Sequence, residues 1–131
     1  MTGRSALFAA IAFTLLWQAC VGTNEPDGPD PGAVSVTLST PNSNDGGVRF
    51  FVSGGPVDSI SAGAHDVFQT DVDGGKRVIV IGSLAPSGIA TLWMPDRRNM
   101  DDYQIILEEV AVRGTFANRS LNGYSLTVAR P

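Results

Sequence analysis

Reactive side chains are scarce in this sequence, whose 131 residues include one cysteine, Cys20, and one histidine, His65. No disulfide can form within one chain, and a zinc site built from cysteine and histidine lacks enough ligands. A Ser-His-Asp triad would have to use His65, but adjacent strand residues point to opposite faces, so Asp66 would not orient it. The Gly-x-Ser-x-Gly elbow and the Gly-Lys-Ser/Thr phosphate loop are also missing. We therefore expect a protein that is not an enzyme.

Positive charge is also in short supply. Thirteen acidic residues oppose nine basic ones, which gives a formal net charge of −4, and Lys76 is the only lysine. Binding to nucleic acid requires a basic surface that contacts phosphates, and electrostatic docking on anionic lipid requires basic clusters. The composition therefore predicts neither a nucleic-acid partner nor electrostatic attachment to a membrane.

Acidic and amide side chains occur in pairs, but the pairs do not form a recognisable site. The acidic pairs are Asp71/Asp73, Asp101/Asp102 and Glu108/Glu109, and the oxygen-rich loops hold Asn42, Asn44 and Asp45, and Asp71 to Gly74. Nothing in the sequence places two acids across a cleft, as glycoside hydrolysis requires. The loops lack the twelve-residue spacing of an EF-hand, and Asp, Asn and Gly are ordinary turn residues. We expect no cofactor and no metal, with a structural calcium ion as the alternative.

The longest apolar run, Ser5 to Trp17, is short. As a helix it would span roughly 18 Å, well below the ~30 Å of a hydrocarbon core. It follows the basic Arg4 and ends at Gln18-Ala19-Cys20. A basic start, a short apolar core and a small residue before the cleavage point are typical of a secretory signal peptide, which we predict over residues 1–19.

The segment Leu16-Trp17-Gln18-Ala19-Cys20 resembles the lipobox of bacterial lipoproteins, in which a leucine and small residues precede the lipid-modified cysteine. Ala19 fits this pattern, whereas Trp17 and Gln18 depart from it. Lipidation would also protect a single exported cysteine from oxidation or cross-pairing. The resemblance implies a membrane anchor at Cys20 in an outer-membrane or cell-surface lipoprotein. Cleavage elsewhere, which would release a secreted domain, and an uncleaved leader are the alternatives.

Residues 20–32 have the composition of a linker. The stretch after Cys20 holds three prolines, three glycines and three acidic residues, with Val21 as its one apolar side chain. Such a segment cannot bury enough surface to offset the entropy lost on ordering. We predict a flexible, semi-extended tether over residues 20–32 and a folded domain over residues 33–131.

Apolar residues alternate with polar ones through most of the folded domain. The predicted strands are residues 34–38, 48–52, 57–61, 65–70, 77–82, 89–94, 101–112 and 124–128, separated by turn residues about every ten positions. This spacing is typical of an all-β antiparallel sandwich with seven to eight short strands. Asp71 to Gly75 reads as a hairpin turn, and residues 77–82, apolar on both faces, as a central strand covered on both sides.

Residues 101–112 admit two interpretations. Tyr103 and Ile105 fit a strand whose alternation shifts at Glu108-Glu109, which a β-bulge would explain. A helical face of Tyr103, Ile106, Leu107 and Val110 is the alternative. We favour the strand because the surrounding pattern is all β.

Four aromatic side chains are candidates for ligand contact. We expect Trp93, Tyr103 and Tyr124 to be core residues, whereas Phe51, between Arg49 and Ser53, should face solvent. An exposed aromatic indicates a contact surface. Phe51 and Trp93 are therefore the residues we name as candidates for ligand binding.

The strand pattern resembles that of a cohesin-type module, the jelly-roll-like sandwich shared with some carbohydrate-binding modules. The segments that carry the resemblance are Val34-Ser-Val-Thr-Leu38, Val48-Arg-Phe-Phe-Val-Ser-Gly54, Val78-Ile-Val-Ile-Gly82, Thr91-Leu-Trp-Met-Pro95 and Tyr103 to Ala111. It implies adhesion or scaffolding by partner binding, or glycan binding, rather than catalysis. Together with the leader, this leads us to expect a non-catalytic binding or adhesion module in the bacterial cell envelope, with a protein partner favoured over a glycan. A structural envelope lipoprotein without a specific ligand and a freely secreted carbohydrate-binding domain are the alternatives.

Overall fold

The computed structural model describes residues 28–131, so the predicted signal peptide, Cys20 and most of the predicted tether lie outside the described residues. The described chain is all β, as predicted, and forms two antiparallel four-stranded sheets. Its strands are β1 Gly32–Ser39, β2 Asp45–Ser53, β3 Ser59–Ser61, β4 Asp66–Val72, β5 Gly75–Leu84, β6 Ser87–Met94, β7 Gln104–Val112 and β8 Ser125–Ala129. A 3₁₀ helix, Arg97–Asp102, precedes β7.

The two sheets pack through the apolar side of each alternating strand. The first sheet has the order β3-β6-β1-β8, and the second has the order β4-β5-β2-β7. Fully buried side chains between them include Val34, Val36 and Leu38 of the first sheet and Val48, Phe50, Val52, Val78, Val80 and Val110 of the second. Burying each of these side chains stabilises the fold by roughly 1.5–3 kcal/mol. A shift of one residue in the pairing would expose them, so their burial also fixes the register of the strands.

Residues 104–112 form a strand, and the bulge predicted within it is present. In the pairing of β7 with β2, Arg49 faces Glu109 and the next residue, Phe50, faces Leu107. Glu108 is therefore the extra residue on β7. The helical alternative is wrong because β7 forms a paired edge strand, and its shifted alternation keeps both Leu107 and Val110 on the core side.

The prediction that β5 is covered on both faces is wrong on one side. The strand is central in its sheet, and Val78 and Val80 are buried. Within residues 28–131 the domain is a two-layer sandwich, so nothing described there covers the other face of β5, and Ile79 is 37% exposed. The apolar residues of that face therefore belong to the surface.

The last residues of the predicted tether fold with the domain. Arg97 donates to the Asp30 carboxylate from Nε at 3.2 Å and from Nη2 at 3.0 Å, and its backbone N–H donates to the Asp30 carbonyl at 2.8 Å. The hydrogen bonds from the Arg97 side chain, and secondarily the charges of Arg97 and Arg130, hold the pKa of Asp30 below its ordinary value. No helix among the described residues is long and apolar enough to cross a membrane.

The tether joins one end of the sandwich, which we call the tether end. It contains Asp30, the 3₁₀ helix and the end of β8, where Arg130 contacts the Arg97 carbonyl at 3.1 Å. β1 runs from this end to the far end, a distance of about 25 Å for its eight residues. β2 begins and β7 finishes at the far end, since Asp45 pairs with Val112.

Candidate functional site

The outer surface of the second sheet carries large apolar side chains where a solvent-facing sheet normally carries polar ones. Phe68 of β4 is 57% exposed, Ile106 of β7 is 50% exposed, and Phe116, just after β7, is 56% exposed. Together with Phe51, Ile79 and Ile81, they form what we call the apolar face. Large exposed apolar side chains grouped on one surface are uncommon on monomeric proteins and mark sites of interaction.

A shallow cavity opens in the apolar face toward its far end. It encloses about 130 Å³, and its lining includes Gly47, Ile79, Ile81, Ala111 and Phe116. The cavity exists because Gly47 has no side chain between these neighbours. A Cβ at this position would lie 3.7 Å from the Ala111 Cβ and 4.0 Å from Phe116 Cδ1, both ordinary contacts.

Phe116 is held in the wall of this cavity by a strained turn. Its φ is +53°, in the left-handed region that bulky residues rarely adopt. Its N–H donates to the Val112 carbonyl at 2.9 Å, and the Val112 N–H donates to the Ala117 carbonyl at the same distance. These bonds fix a small hairpin that extends the sheet beyond β7. Sequence reasoning missed Phe116, although Gly114, with a positive φ of its own, marks the turn beside it.

Charged side chains cross the middle of the apolar face as a balanced network. Glu108 lies 2.9 Å from Arg77 Nε and 3.0 Å from Arg49 Nε, and Glu109 lies 3.0 Å from Arg49 Nη1. The bulge at Glu108 lets two consecutive acidic residues reach the same arginines. Hydrogen bonds from Arg77, and secondarily the charge of Arg49, lower the pKa of Glu108.

A buried polar cluster lies behind the far end of the cavity. Asp45 is fully buried, and its carboxylate accepts hydrogen bonds from the Tyr124 hydroxyl at 2.8 Å and from Thr40 Oγ1 at 2.5 Å. Arg119 Nε lies 2.9 Å from the same carboxylate, and Arg119 Nη2 donates to Asn44 Oδ1. The guanidinium therefore places a positive charge beside the buried carboxylate. The described residues hold no cluster of three or more His, Cys, Asp and Glu side chains suited to a metal.

Asp101 and Asp102 lie in the 3₁₀ helix, whereas His65 and Asp71 lie at opposite ends of β4. Asp71 pairs with Lys76 at 2.7 Å, and Asp101 and Asp102 are exposed at the tether end. His65 borders a separate polar cavity of about 230 Å³, whose other lining residues, Ser35 and Thr91 among them, include no carboxylate. The structure therefore does not bring these candidates for catalysis together.

The two aromatic residues named as ligand candidates lie on opposite outer surfaces. Phe51 points outward on the apolar face, beside Ile106 and Arg77 in the strand register. Trp93 is 46% exposed on the outside of the first sheet, so the expectation that it is a core residue is wrong. Its register neighbours Ala33 and Ser59 are too small to cover the indole ring.

The outer surface around Trp93, which we call the hydroxyl face, contrasts with the apolar face. Its outward-facing positions on β1, β3, β6 and β8 are Ala33, Ser35, Thr37, Ser39, Ser59, Ser61, Gly88, Thr91, Trp93, Ser125, Thr127 and Ala129. None of these positions on the four described strands is charged. The domain thus presents two different surfaces, one apolar with paired charges and one polar and uncharged.

Comparison of the chain with protein-family models, with curated proteins and with solved structures found no match in any of the three.

Proposed function

We propose that this chain is an exported, lipid-anchored envelope protein whose sandwich is a non-catalytic binding module for a protein partner. The observation that carries the proposal is the apolar face, with Phe68, Ile106 and Phe116 each at least half exposed on one side of one sheet. Burial of such side chains against a partner supplies the hydrophobic free energy of association. Aromatic residues with arginines nearby are typical of the centres of protein interfaces.

The position of the apolar face suits a tethered binder. The tether joins the domain at Asp30, whereas Phe116 and the cavity lie toward the far end, one strand length away. The point of attachment therefore does not cover the cavity. The basic start, the short apolar run and the sequence Ala19-Cys20 support export and anchoring.

The polar groups of the apolar face support a protein partner over a sugar. Arg49, Arg77, Glu108 and Glu109 already bind one another, so they offer few unsatisfied groups to sugar hydroxyls. A protein surface that covers this network need not supply new partners for buried charges.

Site-specific photocross-linking in cells tests the proposal. The photoreactive residue p-benzoylphenylalanine replaces Phe116 in the full chain, or Thr127 on the hydroxyl face as a matched control. We expect a cross-linked protein adduct from position 116 and none from 127. Absence of any protein adduct from position 116 would contradict the proposal.

The anchor has its own test. The intact mass and membrane partitioning of the full chain are compared with those of Cys20→Ala in a bacterial host. We expect a diacylglyceryl or triacyl mass increment on Cys20 that the variant lacks. An unmodified, soluble chain would contradict the membrane anchor. The proposal of a binding module would not be affected by that result.

Trp93 favours a second candidate function, the binding of a neutral glycan. Its exposed ring lies between small neighbours on an uncharged, hydroxyl-rich surface. Thr91, which lines the polar cavity together with Ser35, lies two residues before Trp93 on β6. Sugar rings stack on exposed aromatic rings, and hydroxyl groups supply hydrogen bonds. Retention of the full chain on insoluble neutral polysaccharides, compared with Trp93→Ala, tests this function, and equal retention of both would reject it.

A further inference from the structure

We infer that the protein partner of the apolar face is a second copy of this chain, bound with the Phe68 ring of each copy in the cavity of the other. The inference rests on the proposed function, because it names the occupant of the same face. It follows from the shape, charge and size of that face.

The apolar face is complementary to itself in shape. Phe68 projects from β4 with 57% of its surface exposed, and the cavity floor at Gly47 lies two strands away on β2. Strands are about 4.8 Å apart, so about 10 Å separates the projecting ring from the cavity. A two-fold axis between two facing sheets, placed midway between β4 and β2, brings each ring over the other copy's cavity. Two-fold pairing through one shared patch is the commonest form of self-association.

The size of the cavity matches the ring that would enter it. A closed protein cavity of about 150 Å³ accepts benzene, and this open cavity encloses about 130 Å³. Its walls include the side chains of Ile79, Ile81 and Phe116, which offer apolar and aromatic contacts to a phenyl ring.

The charges of the domain also favour contact through this face. Residues 28–131 carry eight basic and eleven acidic side chains, a formal net charge of −3. The apolar face holds three of each sign: Arg49, Arg77 and Arg113 against Asp66, Glu108 and Glu109. The entire acidic excess therefore lies elsewhere, and two copies that meet through this face bring no net like charge together.

The area of the face predicts a weak dimer. Four strands of about seven residues present a surface of roughly 450 Å², below the roughly 800 Å² per partner of a stable complex. We expect a dissociation constant on the order of 0.1 mM in solution. Attachment of both copies to one membrane would raise their effective concentration and favour the dimer.

Sedimentation equilibrium of the full chain tests the inference between about 10 μM and 1 mM. The chain carries Cys20→Ala, so that neither lipid nor a disulfide at this residue joins copies. Phe68→Ser removes the ring, and Gly47→Val fills the cavity; Trp93→Ser is the matched control, since it removes an exposed aromatic from the other sheet. We expect the apparent mass of the parent to rise with concentration toward that of a dimer. Phe68→Ser and Gly47→Val should each raise the dissociation constant about tenfold or more. Trp93→Ser should leave the dissociation constant unchanged.

A second measurement keeps the test valid if Gly47→Val perturbs the fold. The photoreactive p-benzoylphenylalanine at position 68 is used in two differently tagged full chains expressed together. We expect an adduct containing both tags, attached near Gly47, Ile81 or Ala111. An adduct that maps to the hydroxyl face would overturn the inference.

The outcomes separate this inference from the proposed function. A chain that stays monomeric up to 1 mM, or a dimer that neither variant weakens, overturns the second copy as partner. If position 116 then cross-links to a different protein in cells, the proposed binding function stands without the dimer. If position 116 yields no protein adduct and the chain is monomeric, both fail.

Discussion

Arg119 and Asp45 form a buried ion pair between the segment after β7 and the start of β2. Arg119 Nε lies 2.9 Å from Asp45 Oδ1, although its N–H is not aligned for a hydrogen bond, so the contact is ionic. Asp45 is fully buried, and Tyr124 and Thr40 complete its surroundings. The pair holds the connection between β7 and β8, which carries Phe116, against the far end of the sandwich.

Removal of the arginine should destabilise the domain strongly. Arg119→Ala leaves the Asp45 carboxylate buried without its counter-charge, and we expect the free energy of unfolding to fall by about 3 kcal/mol. Tyr124→Phe removes one hydrogen bond to the same carboxylate and should cost about 1 kcal/mol. Urea denaturation measures both, with the exposed Arg130→Ala as control. Equal, small effects of all three variants would show that the buried pair does not hold the segment.

Replacement of Phe116 by glycine should stabilise the fold and weaken binding at the same time. Its φ of +53° costs a bulky residue about 1 kcal/mol that glycine does not pay. We expect Phe116→Gly to raise the midpoint of thermal unfolding and Phe116→Ala, which retains a Cβ, not to raise it. Both variants should weaken association through the apolar face. A fall in the midpoint for Phe116→Gly would mean that the ring stabilises the domain more than the turn strains it.

Acid should destabilise the domain through the network on the apolar face. Hydrogen bonds from Arg77 hold the pKa of Glu108 below its ordinary value of 4.5. The unfolded chain therefore binds more protons than the native one, and this contribution is present above about pH 4.5 and lost as the pH falls through the lowered pKa. Denaturant midpoints measured from pH 7 to pH 3 should fall less steeply in Glu108→Gln than in the parent. If the midpoints of both proteins fell equally with pH, Glu108 would not contribute to the acid sensitivity.

Two glycines with positive φ should respond differently to substitution. At Gly54, with φ +100°, a Cβ would lie 2.1 Å from the Asp102 carbonyl oxygen, whereas at Gly63, with φ +58°, nothing lies within 4 Å. We expect Gly63→Ala to cost about 1 kcal/mol from backbone strain alone. Gly54→Ala should cost more, because the backbone of the 3₁₀ helix must also shift. Thermal unfolding of the two variants provides the comparison, and equal losses would argue against this close approach.

The strands were predictable because their cause is local. Alternation in Val34 to Leu38 and Val48 to Val52 can be read directly, since one side of each strand must be buried. The bulge at Glu108 was predictable for the same reason, because an extra residue shifts the alternation within one strand. The exposure of Trp93 was not predictable in this way, since it depends on Ala33 and Ser59, which are neighbours only through strand pairing.

The sequence by itself determined the all-β class, the strand positions, the acidic charge and the scarcity of catalytic and metal-binding side chains, because each follows from composition or short-range periodicity. Only the tertiary structure decided which outer surface is apolar. It pairs Arg119 with Asp45, leaves a cavity at Gly47, and holds Phe116 in the wall of that cavity on the same face as Phe68. These relationships join residues from different strands. They depend on strand order and register, which local periodicity does not specify.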